Sequence, residues 1–212
     1  PDTSQVFALK KITSFFLIAT TILSCTPYTK GELIDNTTIV KVFNKEEIVS
    51  LESIITFFDK IIMEKTQLPK VNDAYCSYFE TINKMESFDE FEKLIHIENK
   101  ESYRNLITQL KENGMYKKIW IDAYKYKSFV RKDTLKTYRR YKWENGKYMN
   151  FLRLVGEKDT FIKDYRESII ACGDICPTEI VSFMKFYKRF DFNKEIDRLM
   201  YALHYLTLLS EE

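Results

Sequence analysis

Residues 44–69 read NKEEIVSLESIITFFDKIIMEKTQLP. Within them Ile48, Leu51, Ile54, Ile55, Phe58, Ile61 and Ile62 recur three and four apart, the spacing that lines one face of an α-helix. Asn44 is a good N-cap and Glu47 stands three residues on, the arrangement of a capping box. Gln67-Leu68-Pro69 stops the pattern, because proline disfavours helical backbone at the residue before it. One long amphipathic helix is expected here, and its apolar stripe has to be buried against neighbours of the same kind.

The same grammar continues outward. Asn72 and Asp73 open a stretch with Tyr75, Phe79, Ile82 and Met85. Ser87 and Glu90 form a second capping box before Phe88, Phe91, Leu94 and Ile95. Asn99 opens a helix through Tyr103, Leu106, Ile107 and Leu110, which ends at Asn113-Gly114. After Asn145-Gly146, the residues Tyr148, Phe151, Leu152 and Val155 keep helical spacing as far as Gly156. Asp159 to Ala171 carries Phe161, Ile162, Tyr165, Ile169 and Ile170. Pro177 suits a first helical turn and leads into Ile180, Val181, Phe183, Met184 and Tyr187. Asn193 opens the last helix, with Ile196, Leu199, Met200, Leu203, Leu206 and Leu209 on its apolar side. Between these, Met115 to Val130 reads as helix and Arg131 to Asn145 as irregular chain. The expectation is an all-α fold over residues 38–212: a single compact domain of about seven or eight antiparallel helices with short links.

Composition closes off several functions. Of the 212 residues, 45% are hydrophobic and 30% charged, a globular balance. With 33 basic and 31 acidic residues the net charge is +2, which gives no global electrostatic case for nucleic acid. Gly31, Gly114, Gly146, Gly156 and Gly173 are the five glycines, and none belongs to a phosphate-cradling loop. The two histidines, His96 and His204, form no His-Glu-x-x-His motif and read as hydrogen-bonded core or boundary residues. No metal and no cofactor is expected.

At the N-terminal end, Lys10-Lys11 precedes Ile12 to Leu23 (ITSFFLIATTIL), an uncharged run of 12 residues. Ser24-Cys25 follows, and the chain turns polar at Thr26-Pro27-Tyr28-Thr29-Lys30. A bilayer span needs about 20 apolar residues, so the run reads as a secretory signal. Pro1 to Ala8 is set aside as a translated leader. Ile22-Leu23-Ser24-Cys25 resembles the lipobox of bacterial lipoproteins; Ser24 and Cys25 match that pattern, and Ile22 and Leu23 depart from it. The resemblance implies cleavage before Cys25, acylation of Cys25, and a membrane anchor of several acyl chains. Thr26 at the following position resembles lipoproteins sorted to the outer membrane. Residues 1–24 are thus expected to be leader and signal, and 25–37 a tether. Thr38 to Phe43 is expected to be a short strand or extended lead-in.

Two further features carry chemistry. Cys172-Gly173-Asp174-Ile175-Cys176 places two thiols four apart. Two reduced, partly buried thiols are the favoured state, and a disulfide across the turn is the alternative that an oxidising compartment would permit. Cys76 reads as core. From Lys117 to Lys147 there are eleven basic residues against Asp122, Asp133 and Glu144, interleaved with Trp120, Tyr124, Tyr126, Phe129, Tyr138, Tyr141 and Trp143. A solvated face with core aromatics is the plainer reading. The functional one is an anionic-ligand surface of Lys136, Arg139, Arg140, Lys142 and Trp143, since cations and aromatic faces together suit an acidic polymer. The expected protein is a lipid-anchored binding or accessory module of the cell envelope. Its partners are then the membrane, through the N-terminal lipid, and an anionic glycan, lipid head group or envelope protein. An envelope hydrolase acting on glycan or cell-wall material and a structural subunit of an outer-membrane assembly are the alternatives.

Overall fold

The structure, a computed structural model, describes residues 32–85, 96–126, 135–142 and 145–209. A short 3-10 turn at Glu32–Asp35 precedes helix α1 (Thr37–Val40), the long helix α2 (Lys45–Thr66) and α3 (Val71–Asn83). Helix α4 (Lys100–Glu112) and the one-turn α5 (Tyr116–Ile119) follow. Then come strands β1 (Trp120–Tyr126) and β2 (Leu135–Tyr141), and helices α6 (Lys147–Gly156), α7 (Thr160–Cys172), α8 (Pro177–Lys185) and α9 (Glu195–Leu208). The second capping box, at Ser87 and Glu90, lies outside the described residues.

The capping box of α2 forms as read. The Asn44 side chain accepts from the Glu47 N–H at 2.9 Å, and the Asn44 N–H donates to Glu47 Oε2 at 2.8 Å. The helix ends at Gln67, whose left-handed φ of 57° lets its N–H return to the Met63 carbonyl. Ile48, Leu51, Ile54, Ile55, Phe58 and Ile62 are buried, so the stripe is spent on the core. Helix α9 is the centre of that core. Every residue from Arg198 to Thr207 is buried, so this helix has no solvent face. Around it Phe79, Phe183, Phe190 and Phe192 surround Tyr201, with Phe79 and Tyr201 ring centroids 4.5 Å apart.

The fold is mostly helical, and it carries a small antiparallel hairpin that corrects the all-α expectation. The register runs from Trp120 opposite Tyr141 to Tyr126 opposite Leu135. The helix expected over 115–130 lasts only one turn, and part of the stretch expected to be irregular is β2. The physical reason is the aromatic content of both segments, with Thr137 in the second, which suits a pleated surface once a partner strand is beside it.

Two boundaries also move. Thr37–Val40 is helical instead of extended, because the Asn36 side chain accepts from the Thr38 and Ile39 N–H groups at 3.0 and 3.2 Å. The tether was expected to reach residue 37, yet Leu33 is 1% exposed and its N–H donates to Glu195 Oε2 at 3.1 Å. The packed domain therefore includes Glu32 onward. Cys172 and Cys176 are joined by a disulfide across the α7–α8 turn, instead of the two reduced thiols the sequence favoured, with Gly173 at a left-handed φ of 71°. Among the described residues no helix is long and apolar enough to cross a membrane.

Candidate functional site

Strand geometry decides which residues of the basic stretch share a surface. Successive side chains on a strand point to opposite faces, so Arg139 and Tyr141 share one face of β2, and Tyr138 and Arg140 the other. The face that carries Arg139 changes character along its length: Trp120, Arg139 and Tyr141 are 0%, 2% and 1% exposed, whereas Tyr124, on the same face farther along β1, is 65% exposed. The hairpin is thus sunk into the core at its base and open beyond it.

Arg139 is the fastening of that base. Its guanidinium lies 5.3 Å from the Tyr103 ring centroid and 5.5 Å from that of Trp120. Nη2 donates to the Tyr103 hydroxyl and, at 2.6 Å, to the Leu209 carbonyl. Leu209 is the C-cap of α9, so the cation also meets the negative end of the helix dipole. Nε and Nη1 have no hydrogen-bond partner among the described residues. Arg139 is therefore removed from the proposed ligand surface: it holds the hairpin to α4 and α9.

A polar seam runs beneath the same base. Trp120 Nε1 donates to Thr207 Oγ1 at 2.7 Å, and Thr207 donates on to the Leu203 carbonyl at 2.6 Å. Tyr141 and Tyr148 have ring centroids 4.8 Å apart. Burial pushes the Tyr141 hydroxyl's pKa up, against the opposing pull of Thr207, Tyr165 and Tyr148. The Tyr165 hydroxyl is 2.8 Å from His204 Nδ1. Burial pushes the His204 pKa down from 6.5 to about 3, so the imidazole is neutral at any physiological pH. This seam is a hydrogen-bonded core, which is the reading the sequence gave His204. His96, by contrast, is exposed.

On the opposite face, Arg140 is half-buried and its Nη1 donates to the Gly173 carbonyl at 3.4 Å, inside the disulfide turn. Asp174 in that turn has its pKa raised by burial, opposed by the Ile175 N–H, Arg140 and Tyr138. Lys142 is half-buried, and its N–H donates to the Ile119 carbonyl at 2.8 Å, closing the hairpin base. Lys136 stands opposite Lys125 across the hairpin. Trp143 and Cys25 lie outside the described residues. The five expected surface residues are thus split: Arg139 serves the core, Arg140 leans on the α7–α8 turn, and Lys136 belongs to the outer hairpin with Lys125.

Sequence reasoning missed a buried charged cluster on the far side of α9. Asp59 Oδ1 accepts from the Tyr75 hydroxyl at 2.7 Å and Oδ2 from Arg198 Nε at 3.2 Å. Glu195 stands 4.0 Å from Arg198 Nη2. Burial raises the pKa of Asp59 against the opposing Arg198 and Tyr75, and burial likewise raises that of Glu195. Two carboxylates thus flank one arginine. The neighbouring cavity is lined by Lys70, Val71, Asn72, Asp73, Phe192, Asn193 and Arg198, so the arginine reaches it and the carboxylate pair does not. Among the described residues no three His, Cys, Asp or Glu side chains gather as a metal ion requires. No family model, no curated protein and no solved structure matches the chain.

Proposed function

We propose that the chain is a lipid-anchored protein of the cell envelope that works by binding, and that its hairpin is the contact element for an anionic partner. The partner class is an acidic glycan, a lipid head group or an acidic envelope protein. The observation that carries the reading is the hairpin itself. The most basic stretch of the sequence is held by a base of Trp120, Arg139 and Tyr141 in the core, while Tyr124 stands open to solvent. A cation-rich element fixed at one end meets an anion at little ordering cost. Between Tyr124 and Tyr138 the sequence carries Lys125, Lys127, Arg131, Lys132 and Lys136. The anchor rests on the lipobox-like Ile22-Leu23-Ser24-Cys25.

Two variants test the two halves of this proposal. Cys25→Ala moves the protein from the membrane fraction to the soluble fraction; retention in the membrane contradicts lipidation. The pair Lys125→Glu and Lys136→Glu weakens capture of anionic envelope material by about tenfold at low salt, and the difference shrinks as salt rises. Unchanged capture removes the hairpin from the binding reading.

A further inference from the structure

We infer that the Cys172–Cys176 disulfide is a redox-controlled clasp on the hairpin. The bond joins the last residue of α7 to the N-cap of α8, with Cα atoms 6.3 Å apart and four residues of separation. So small a loop removes little entropy from the unfolded chain, and its effect is to fix the turn between the two helices. What the turn touches is β2. The Gly173 carbonyl accepts from Arg140, and the half-buried Asp174 carboxyl sits within the influence of both Arg140 and Tyr138. Tyr138 and Arg140 are the outward face of the strand whose inward face, Arg139 and Tyr141, is locked in the core. The hairpin is therefore held from two sides: permanently by core packing, and conditionally by a turn whose shape depends on an S–S bond.

The sulfurs are accessible. Cys172 is exposed and Cys176 half-buried. A dithiol reductant can open the bond by ordinary exchange. Its thiolate attacks one sulfur, the other leaves as a thiolate that takes a proton, and the reductant's second thiol resolves the mixed disulfide. The products are two cysteine thiols and one oxidised dithiol, with two electrons and two protons passed to the protein. Cys76 is the remaining cysteine among the described residues, and burial raises its thiol pKa, so it competes poorly in this exchange. Opening the bond frees Gly173 and Asp174 to leave Arg140, which loosens β2 while the helices stay packed. The clasp acts whatever the hairpin binds; a change in ligand affinity on reduction rests on the binding reading above.

Hydrogen exchange on the full chain, oxidised and after dithiothreitol, tests this. Loss of a charge-assisted contact should speed exchange by about tenfold at residues 135–141 and 172–176. Amides of α2 and α3 should keep their rates. The double variant Cys172→Ser and Cys176→Ser should show the same pattern without reductant. Arg140→Gln in the oxidised chain should loosen 135–141 and leave 172–176 slow. Acceleration confined to 172–176, or spread equally through α2 and α3, overturns the clasp. If the exchange pattern holds but anionic capture is unchanged on reduction, the clasp stands and its control of ligand affinity fails; the binding reading itself falls only if the Lys125→Glu and Lys136→Glu pair leaves capture unchanged.

Discussion

At the scale of single residues, a charged side chain carries the most unexpected load. Arg139 is buried without a carboxylate partner among the described residues, and it stacks on Tyr103 and Trp120 while bonding the end of α9. Arg139→Ala removes the stacking and the hydrogen bonds and leaves a void, so unfolding should be easier by about 2–4 kcal/mol. Arg139→Met keeps much of the volume and should cost less than half of that. Urea midpoints measure both, and an Arg139→Ala protein of unchanged stability contradicts the fastening role. His204 gives a pH signature. Its native pKa is about 3 against 6.5 in the unfolded chain. Between those values the unfolded chain binds a proton that the native imidazole refuses, so stability falls as pH drops below 6.5, by up to about 1.4 kcal/mol per unit. Urea midpoints at pH 7, 6 and 5 should therefore decline, and His204→Gln should flatten the decline. A midpoint equally steep in His204→Gln assigns the effect elsewhere. The burial of His204 was legible from Leu203 and Tyr205 beside it. That of Arg139 was not, because arginine is seldom fully buried and nothing local marks the exception.

At the scale of elements, α2 and the hairpin show what a sequence discloses and what it withholds. The α2 cap and stripe are local: Asn44, Glu47 and the isoleucines state the helix without reference to anything distant. In the hairpin, Ile119, Ala123, Tyr126 and Val130 satisfy helical spacing, while alternation holds only over Tyr124, Lys125 and Tyr126 and is broken before them by Ile121 and Asp122. The choice falls to pairing with Leu135–Tyr141, which joins residues as distant in sequence as Trp120 and Tyr141 and which no local window contains. Glu47 ties α2 to the two helices that flank the hairpin, through Lys118 of α5 and Lys147 of α6. Burial pushes its pKa up, but hydrogen bonds from Lys118 and Lys147 and from the Asn44 N–H outweigh burial, and the net direction is down. The carboxylate thus stabilises the fold above the ordinary glutamate range, and that stability is lost as pH falls through the lowered value. Glu47→Gln should cost about 1–3 kcal/mol at neutral pH and little in acid. Gly146 makes the joint between β2 and α6. A Cβ there would collide with the Lys142 carbonyl oxygen, a backbone atom that cannot swing aside. Gly146→Ala should lower stability by about 1–3 kcal/mol in a thermal melt. An unaltered melt would show that the joint relaxes freely.

At the scale of the whole molecule, a helical body centred on α9 carries a hairpin whose inner half is core and whose outer half is basic. That division explains why Arg139 falls outside the ligand surface expected from the sequence. Charge and aromatic content were read as one surface, whereas Arg139 and Tyr141 are buried at the hairpin base and Tyr124 stands open farther along β1. The expected anchor rests on the linear signal Ile22-Leu23-Ser24-Cys25, which lies outside the described residues. The most direct measurement is photo-cross-linking in the native envelope with p-benzoylphenylalanine placed at Tyr124, on the hairpin, or at Val49, on the exposed side of α2. The account predicts a salt-sensitive adduct to an anionic glycan, lipid or acidic protein from position 124 and none from position 49. An adduct from position 49 alone, or a position-124 adduct indifferent to salt, contradicts it.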